Sequence, residues 1–485
     1  MLKIFSRTLV FVVILGLTVM LTNSLGARVP QARAVFNLSP EMENRTTASA
    51  SSGPLWARSY GLFFGGPAFS YIYESDWPTA VQSMGDGTIA VAGITISQGR
   101  AGAYLEAGAV MALGASGAVK WEVIYPEDLS GKISSVFRGL TRTREGGLVA
   151  VGTYFDDANE DVLVMSLDQN GGVRWTNRYV PEGDTFGEAG AVVRTRDGGC
   201  AIAAKSVNGL WFFKLDQSGA VVWSEVISIP DLDVVKALQE TSSGGFVIAG
   251  ICLSEGGSKE WAWVLRLSAS GGLLWHTSLS SDSASGRNAT GVNSIVATRD
   301  GGFALAGVTQ PPGTSTLKAW ACKLNGAGNV SWSRTYNGGE ASSIIQTSDG
   351  GLLMTSGYPA RAFKLNASGA VQWAKKYERS LKTNRMTGAF EKNDGGYVMI
   401  ASSDSIKLAP NFDYQPWIVM SVDKNGDSAP GCPFVRSITG DARNVPAQVV
   451  SGSFSVASVA AQVITLAIVP HTWPPVRVGH DVCSK

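Results

Sequence analysis

Three histidines in 485 residues leave this chain little with which to build imidazole chemistry, whether a metal site or a proton relay. The oxygen-rich stretches are the next place to look. Asp156-Asp157-Ala158-Asn159-Glu160-Asp161 and Asp423-Lys424-Asn425-Gly426-Asp427 set carboxylates and amides on alternate residues, which suits Ca²⁺. The second lacks the acidic residue that would close a helix–loop–helix calcium site. The first lacks a turn glycine. Both therefore read as solvated loops. No nucleophile motif and no metal-ligand spacing stands out, so the sequence calls for no catalytic residue, no metal and no cofactor. Of five cysteines, Cys200, Cys252 and Cys322 fall in apolar runs, where a thiol acts as a small buried hydrophobe. Cys432 and Cys483 bracket the C-terminal tail, and a disulfide between them is expected.

The elements that must position any site come from a repeat. A short apolar run ends in Asp-Gly-Gly or a near variant, a second run follows, a third ends in Leu-Asp-x-x-Gly, and a fourth carries a tryptophan. The turn glycines are Gly87, Gly147, Gly199, Gly245, Gly302, Gly351 and Gly396, spaced 60, 52, 46, 57, 49 and 45 residues apart. The closing tryptophans are Trp121, Trp175, Trp223, Trp275, Trp332 and Trp373. Ala191 to Ile227 shows the unit best: strand A at 191–195, the turn Asp197-Gly198-Gly199, strand B at 200–204, strand C at 211–215, the turn Asp216-Gln217-Ser218-Gly219, and strand D at 221–225. Glycine takes the positive φ of such turns at no steric cost, and Asp bonds the turn backbone. Four short strands and two tight turns per repeat predict an all-β, seven-bladed β-propeller of four-stranded antiparallel blades.

The ends predict how the array closes. Residues 55–60, Leu-Trp-Ala-Arg-Ser-Tyr, read as a strand D with nothing before it, and the last repeat runs from Asp423 into Cys432 without one. The N-terminal outer strand should complete the final blade and cover an open edge. Residues 1–27 read as a signal peptide, with Lys3 and Arg7 ahead of an apolar Leu9 to Leu21 and small residues after it. Left uncleaved, that segment would be a membrane anchor. Residues 28–53 read as a flexible linker, 54–427 as the propeller and 428–485 as a tail packing on it. Lysine plus arginine exceed aspartate plus glutamate by one, 40 against 39. That balance gives no footprint for nucleic acid.

Asp300-Gly301-Gly302-Phe303, Ala306-Gly307, Trp320, Lys323-Leu324-Asn325, Gly328 and Trp332 resemble a family of secreted bacterial and archaeal propeller repeats, over about residues 55–427. The resemblance implies the fold and an envelope or extracellular location. Asp216 to Trp223 is more distantly similar to the tryptophan-docking repeats of pyrroloquinoline-quinone dehydrogenases, with a turn one residue shorter. Thr347-Ser348-Asp349-Gly350-Gly351 imitates a sialidase Asp-box, but Leu352-Leu353-Met354 stands where Thr-Trp would close it.

The tight turns share one end of the strands, and the long B–C and D–A connections share the other. Loops on a rigid scaffold are where binding normally resides. Tyr154, Phe155, Phe186, Arg287, Tyr358 and Tyr414 are the exposed aromatic and cationic candidates there, for a protein or glycan partner. With histidines and nucleophile motifs missing, the sequence points to a non-enzymatic exported scaffold. The alternative is a propeller enzyme, quinone-dependent or glycosidase-like, with an axial active site. The two part on whether polar side chains converge on the axis.

Overall fold

The computed structural model describes residues 54–481 apart from 61–70, 100–103, 126–132, 185, 258, 281–287, 378–384, 404–405, 410–411, 433, 439, 441, 445–447, 451–454, 459–460 and 466–478. The expected signal peptide and linker lie outside the described residues. So does Cys483.

The apolar runs form strands, and the described residues contain no helix. Successive runs pair antiparallel in fours. In the unit read most clearly from sequence, Gly187–Arg194, Cys200–Ser206, Gly209–Leu215 and Val221–Ser228 hydrogen-bond in that order. The middle two strands are almost wholly buried, because neighbouring sheets cover both faces. Trp56–Tyr60 pairs with Trp417–Val422, supplying the fourth strand that the last repeat lacks. The first strands of the sheets are Tyr71–Ser83, Ser134–Arg142, Gly187–Arg194, Leu232–Glu240, Asn288–Ala297, Ala341–Gln346 and Arg385–Glu391. Each packs against the next, and the last packs against the first.

The closing tryptophans latch one sheet to another. Trp121 donates its indole N–H to Gln169 O, Trp175 to Gln217 O, Trp275 to Gly326 O, Trp332 to Ala367 O and Trp373 to Lys424 O, at 3.0–3.2 Å. In every case the acceptor lies in the turn that follows the third strand of the next sheet. Trp56 does the same to Ala115 O at 2.8 Å. Buried tyrosines add a second rung: Tyr60, Tyr179, Tyr336 and Tyr377 donate to the carbonyls of Gly117, Gly219, Gly369 and Gly426. Those glycines have φ between +77° and +86°. At Gly426 a Cβ would also stand 2.8 Å from the Trp373 ring, so the docked indole and the left-handed turn both demand glycine.

Cys200, Cys252 and Cys322 are free and buried. Short strands of the tail pair with the fourth strands of the sheets, five of them between Val435 and Thr465.

Candidate functional site where the first strands meet

Every one of the first strands described above carries a β-bulge at the same register. The extra residue falls between Pro78 and Ala80, Phe137 and Gly139, Ala189 and Ala191, Val235 and Ala237, Val292 and Ser294, Ala341 and Ser343, and Met386 and Gly388. The bulged residues are therefore Thr79, Arg138, Gly190, Lys236, Asn293, Ser342 and Thr387. A bulge re-aims one side chain out of the ladder. The second strand accommodates it with a small residue opposite: Gly93, Gly152, Ala204, Gly250, Gly307, Ser356 and Ala401. At Gly152 a Cβ would collide with the carbonyl of Val136 and stand 2.8 Å from the Phe137 Cα.

Three of the neutral bulge residues stitch sheet to sheet. Thr79 Oγ1 donates to Phe137 O at 2.7 Å, Asn293 Nδ2 to Ala341 O at 2.9 Å, and Ser342 Oγ to Met386 O at 2.6 Å. Each acceptor immediately precedes the next bulge. Arg138 and Lys236 depart from this pattern and bring charge. Arg138 pairs with Glu188 at 3.0 Å. Across the site, Asn293 also donates to Glu340 Oε1 at 2.7 Å, and Glu340 lies 3.9 Å from Arg385. Lys236 feels all four charges. Desolvation, then Arg138 and Arg385, hold its ammonium below the usual lysine range, while Glu340 and Glu188 pull the other way. Lys236 is exposed by its accessible surface, while the surrounding protein still desolvates its ammonium. It lines a hollow that solvent reaches. Among the described residues no hydrogen bond or ion pair fixes the Lys236 ammonium.

That hollow is a cavity of about 160 Å³ lined by Thr79, Arg138, Glu188, Gly190, Lys205 and Lys236, with Val234 and Val235 as its apolar wall. Lys205 Nζ is held at 2.7 Å by Asp233 O. Gly190 packs tightly on Val235: a Cβ there would stand 2.6 Å from the Val235 Cβ and carbonyl oxygen. Chemically, the arrangement offers fixed cations for an anion, one amine able to exchange a proton, and carboxylates that hold the guanidinium groups. A wider hollow of about 520 Å³ lies at the turn end, among Asp86, Lys120, Trp121, Arg142 and Gln169. Trp121 and Gln169 are spent there on the docking bond, and the hollow gathers no comparable set of charges.

Among the described residues, none of the loop residues expected to bind lines the cavity. Tyr154 corrects the expectation directly: it is 7% exposed, beneath the Arg178 guanidinium at 4.2 Å from its ring. The same guanidinium reaches Asp156 at 3.3 Å and Asp161 at 3.4 Å. Burial pushes the Asp161 carboxyl up, and Arg178 pulls it down. Asp156 also accepts from the backbone of Ala158 and Asn159. The stretch considered for calcium thus has an arginine at its oxygens. At the other acidic stretch, Asp423 accepts from the backbone of Asn425 and Asp427 within its turn. Phe155 and Phe186 are half-buried. Tyr358 is exposed, with φ +39°. Tyr414 falls in the strand Phe412–Gln415, and Arg287 lies outside the described residues.

Sequence reasoning missed Arg138 and Lys236, although a signal existed. From Arg138 to Gly147, Gly190 to Gly199, Lys236 to Gly245, Asn293 to Gly302, Ser342 to Gly351 and Thr387 to Gly396 the step is always nine residues. Thr79 precedes Gly87 by eight.

No family model and no curated protein matches the chain. Among solved structures, it is similar to one described as a "putative gluconolactonase", at 12% identity and a TM-score of 0.35, covering 76% of this chain and 96% of that one. Another, a protein of unknown function from Dyadobacter fermentans, matches at 10% identity and a TM-score of 0.34, over 75% of this chain and 98% of that one. Likenesses of this strength transfer neither substrate nor residues. The reading as a non-enzymatic scaffold is given up on the site itself: the charges gathered where the first strands meet are the convergence of polar side chains that favours the enzyme alternative.

Proposed function

We propose that this chain is a propeller enzyme with an axial active site, acting by proton transfer on a small anionic substrate. The observation that carries the reading is Lys236, lining the cavity among the charges of Arg138, Glu188, Glu340 and Arg385 from neighbouring sheets. Arg138, braced by Glu188, anchors the substrate anion by a charge-assisted hydrogen bond. Lys236 is the general base. An amine whose proton affinity is lowered by desolvation and neighbouring cations sheds its proton more readily than an ordinary lysine, which suits a base. Glu340, held by Asn293 and Arg385, shapes the opposite wall.

The scaffold in this reading is a closed ring of seven blades. The pairing of Trp56–Tyr60 with Trp417–Val422 supports it, as does the packing of Arg385–Glu391 on Tyr71–Ser83. The chain would be of the secreted repeat type that its Asp-Gly-Gly-Phe and Lys-Leu-Asp motifs resemble, exported to the cell envelope or beyond. The test is turnover of a panel of carboxylate-bearing lactones, aryl esters and glycosides by the wild type, K236M and R138M. The expected result is turnover that K236M abolishes and R138M weakens chiefly in KM. A K236M protein that turns over its substrate like the wild type would refute the assignment. So would a panel in which no compound binds at the cavity.

A further inference from the structure

We propose that Trp77 is the platform on which the substrate's ring lies, and that the substrate is a sugar acid, a pyranose whose carboxylate reaches Arg138. This rests on the axial site proposed above and adds the class of substrate to it. The placement comes from the first strands. In each of them the residue just before the bulge is buried, from Pro78 to Met386, and none of the bulged residues is. Side chains alternate along a strand, so the residue two places before the bulge faces the same way as the bulge. Two contacts show that these levels meet: Arg138, a bulged residue, reaches Glu188, and Asn293, another, reaches Glu340. The outer level therefore holds Trp77 together with Val136, Glu188, Val234, Gly291, Glu340 and Arg385. It lies toward the strand starts, at the mouth on the side of the long connections.

Trp77 is out of pattern there. It is 49% exposed, and no other tryptophan among the described residues is exposed. Nothing in the repeat demands an indole at this level, where the other strands hold Val, Glu, Gly or Arg. Its N–H donates to Gln415 Oε1 at 3.3 Å. Gln415 ends the strand Phe412–Gln415, which runs parallel to Tyr71–Ser83 with Gln415 opposite Ser75. Chain leaving the last sheet thus reaches across to fix the indole of the first. With its one donor used, the indole offers a ring surface and nothing polar. Thr79, two residues further in, lines the cavity and donates to the carbonyl of Phe137, next to Arg138. At roughly 3.3 Å per residue, Trp77 stands about 7 Å out from that level. A six-membered ring carrying a carboxylate bridges the two.

The groups beside the indole decide what kind of ring it takes. Glu188, Glu340 and Arg385 stand at the same level. A planar apolar ring would strip water from these charges and return no hydrogen bonds, which is costly. A pyranose meets both demands. Its C–H face packs on the electron-rich face of the indole, and its hydroxyls bond the charged groups around its edge. Glu188 and Glu340 keep acceptor sites beyond their contacts with Arg138 and Asn293, since a carboxylate offers about four. The charge count calls for an acid rather than a neutral sugar. The cavity lining sets Arg138, Lys205 and Lys236 against Glu188 alone, so one cation stays unmatched even when Lys236 has lost its proton.

The experiment titrates the full-length protein with three probes: the methyl glycoside of glucuronic acid, benzoate and acetate. Binding is read by calorimetry for the wild type, W77A, W77L and R138M. The wild type should hold the glucuronide more tightly than either simple acid. W77A and W77L should weaken the glucuronide about tenfold, the loss of one aromatic contact, and leave acetate unchanged. R138M should weaken both. If neither Trp77 variant folds, the wild type supplies the readout: the glucuronide should slow oxidation of Trp77 by N-bromosuccinimide, followed by peptide mapping, and acetate should not. The inference is overturned if the glucuronide does not bind, if benzoate binds more tightly, or if loss of the indole affects the glucuronide no more than acetate. Acetate binding that still depends on Arg138 would then leave the proposed function standing. Glucuronide binding that depends on Trp77, in a protein whose K236M form keeps its turnover, would instead support the platform and remove the base.

Discussion

Replacing Gly152 with alanine is the sharpest single test of the bulge register, because its cost can be worked from the geometry. Gly152 does not have a left-handed φ, so alanine is conformationally acceptable there and would ordinarily stabilise by about 0.4–1 kcal/mol through the unfolded chain. The opposing backbone prevents this. The new Cβ would collide with Val136 O, 2.7 Å from the Val136 carbonyl carbon and 2.8 Å from the Phe137 Cα. Nothing flexible can give way, because all three are main-chain atoms at the foot of the Arg138 bulge. Overpacking of this kind costs about 1–3 kcal/mol, at the upper end when backbone must move. The expected net loss is roughly 2 kcal/mol, read as a fall in the urea midpoint. Gly244→Ala is the control: its φ is +82° but no atom stands within 4 Å of the added Cβ. Only the left-handed backbone penalty of about 1 kcal/mol applies. Because Val136 and Phe137 carry the bulge, G152A should also weaken anion binding at the cavity, and G244A should not. A G152A protein at least as stable as G244A, with unaltered binding, would refute the idea that small second-strand residues exist to admit the bulges.

Three further outcomes are expected. Tyr377→Phe should lose roughly 1–2 kcal/mol by thermal or urea unfolding, since it strips the buried Gly426 carbonyl of its 2.8 Å donor. Asp300 is lowered to about 2 by the Thr298 hydroxyl and then by Lys323, so its contribution is present above the ordinary value of 3.8 and is lost as pH falls toward 2. D300N should therefore flatten the acid limb of the stability profile over that window and leave the limb above pH 5 unchanged in shape. Folding lowers the proton affinity of Lys236, so the unfolded chain binds more protons as pH climbs toward 10.5. The wild type should therefore gain stability relative to K236M as pH rises toward 10.5, read from melting temperatures across that range.

Periodicity alone dictated the strands, the tight turns and the orphan Trp56–Tyr60, because those depend on local rules: alternation, glycine at positive φ, and aspartate bonding its own turn. Even the tryptophans were legible as repeat markers. Their task was not, since an indole that docks on the next sheet's turn acts 35–59 residues away. The same limit hid the site. Arg138 and Lys236 occupy the repeat position that holds Thr, Asn, Ser or Gly elsewhere, and only its fixed distance from the turn glycine marks it, not the charge it brings. Only when first strands from different sheets meet do Arg138, Glu188, Lys236, Glu340 and Arg385, spread over 248 residues of sequence, become one electrostatic environment. Tyr154 shows the converse. Its loop position promised exposure, but Arg178, 24 residues on, covers its ring. The tail marks the boundary most clearly. What its segments pair with was hidden, because their partners are edges built by chain as much as 423 residues away, and an edge exists only once the sheet does.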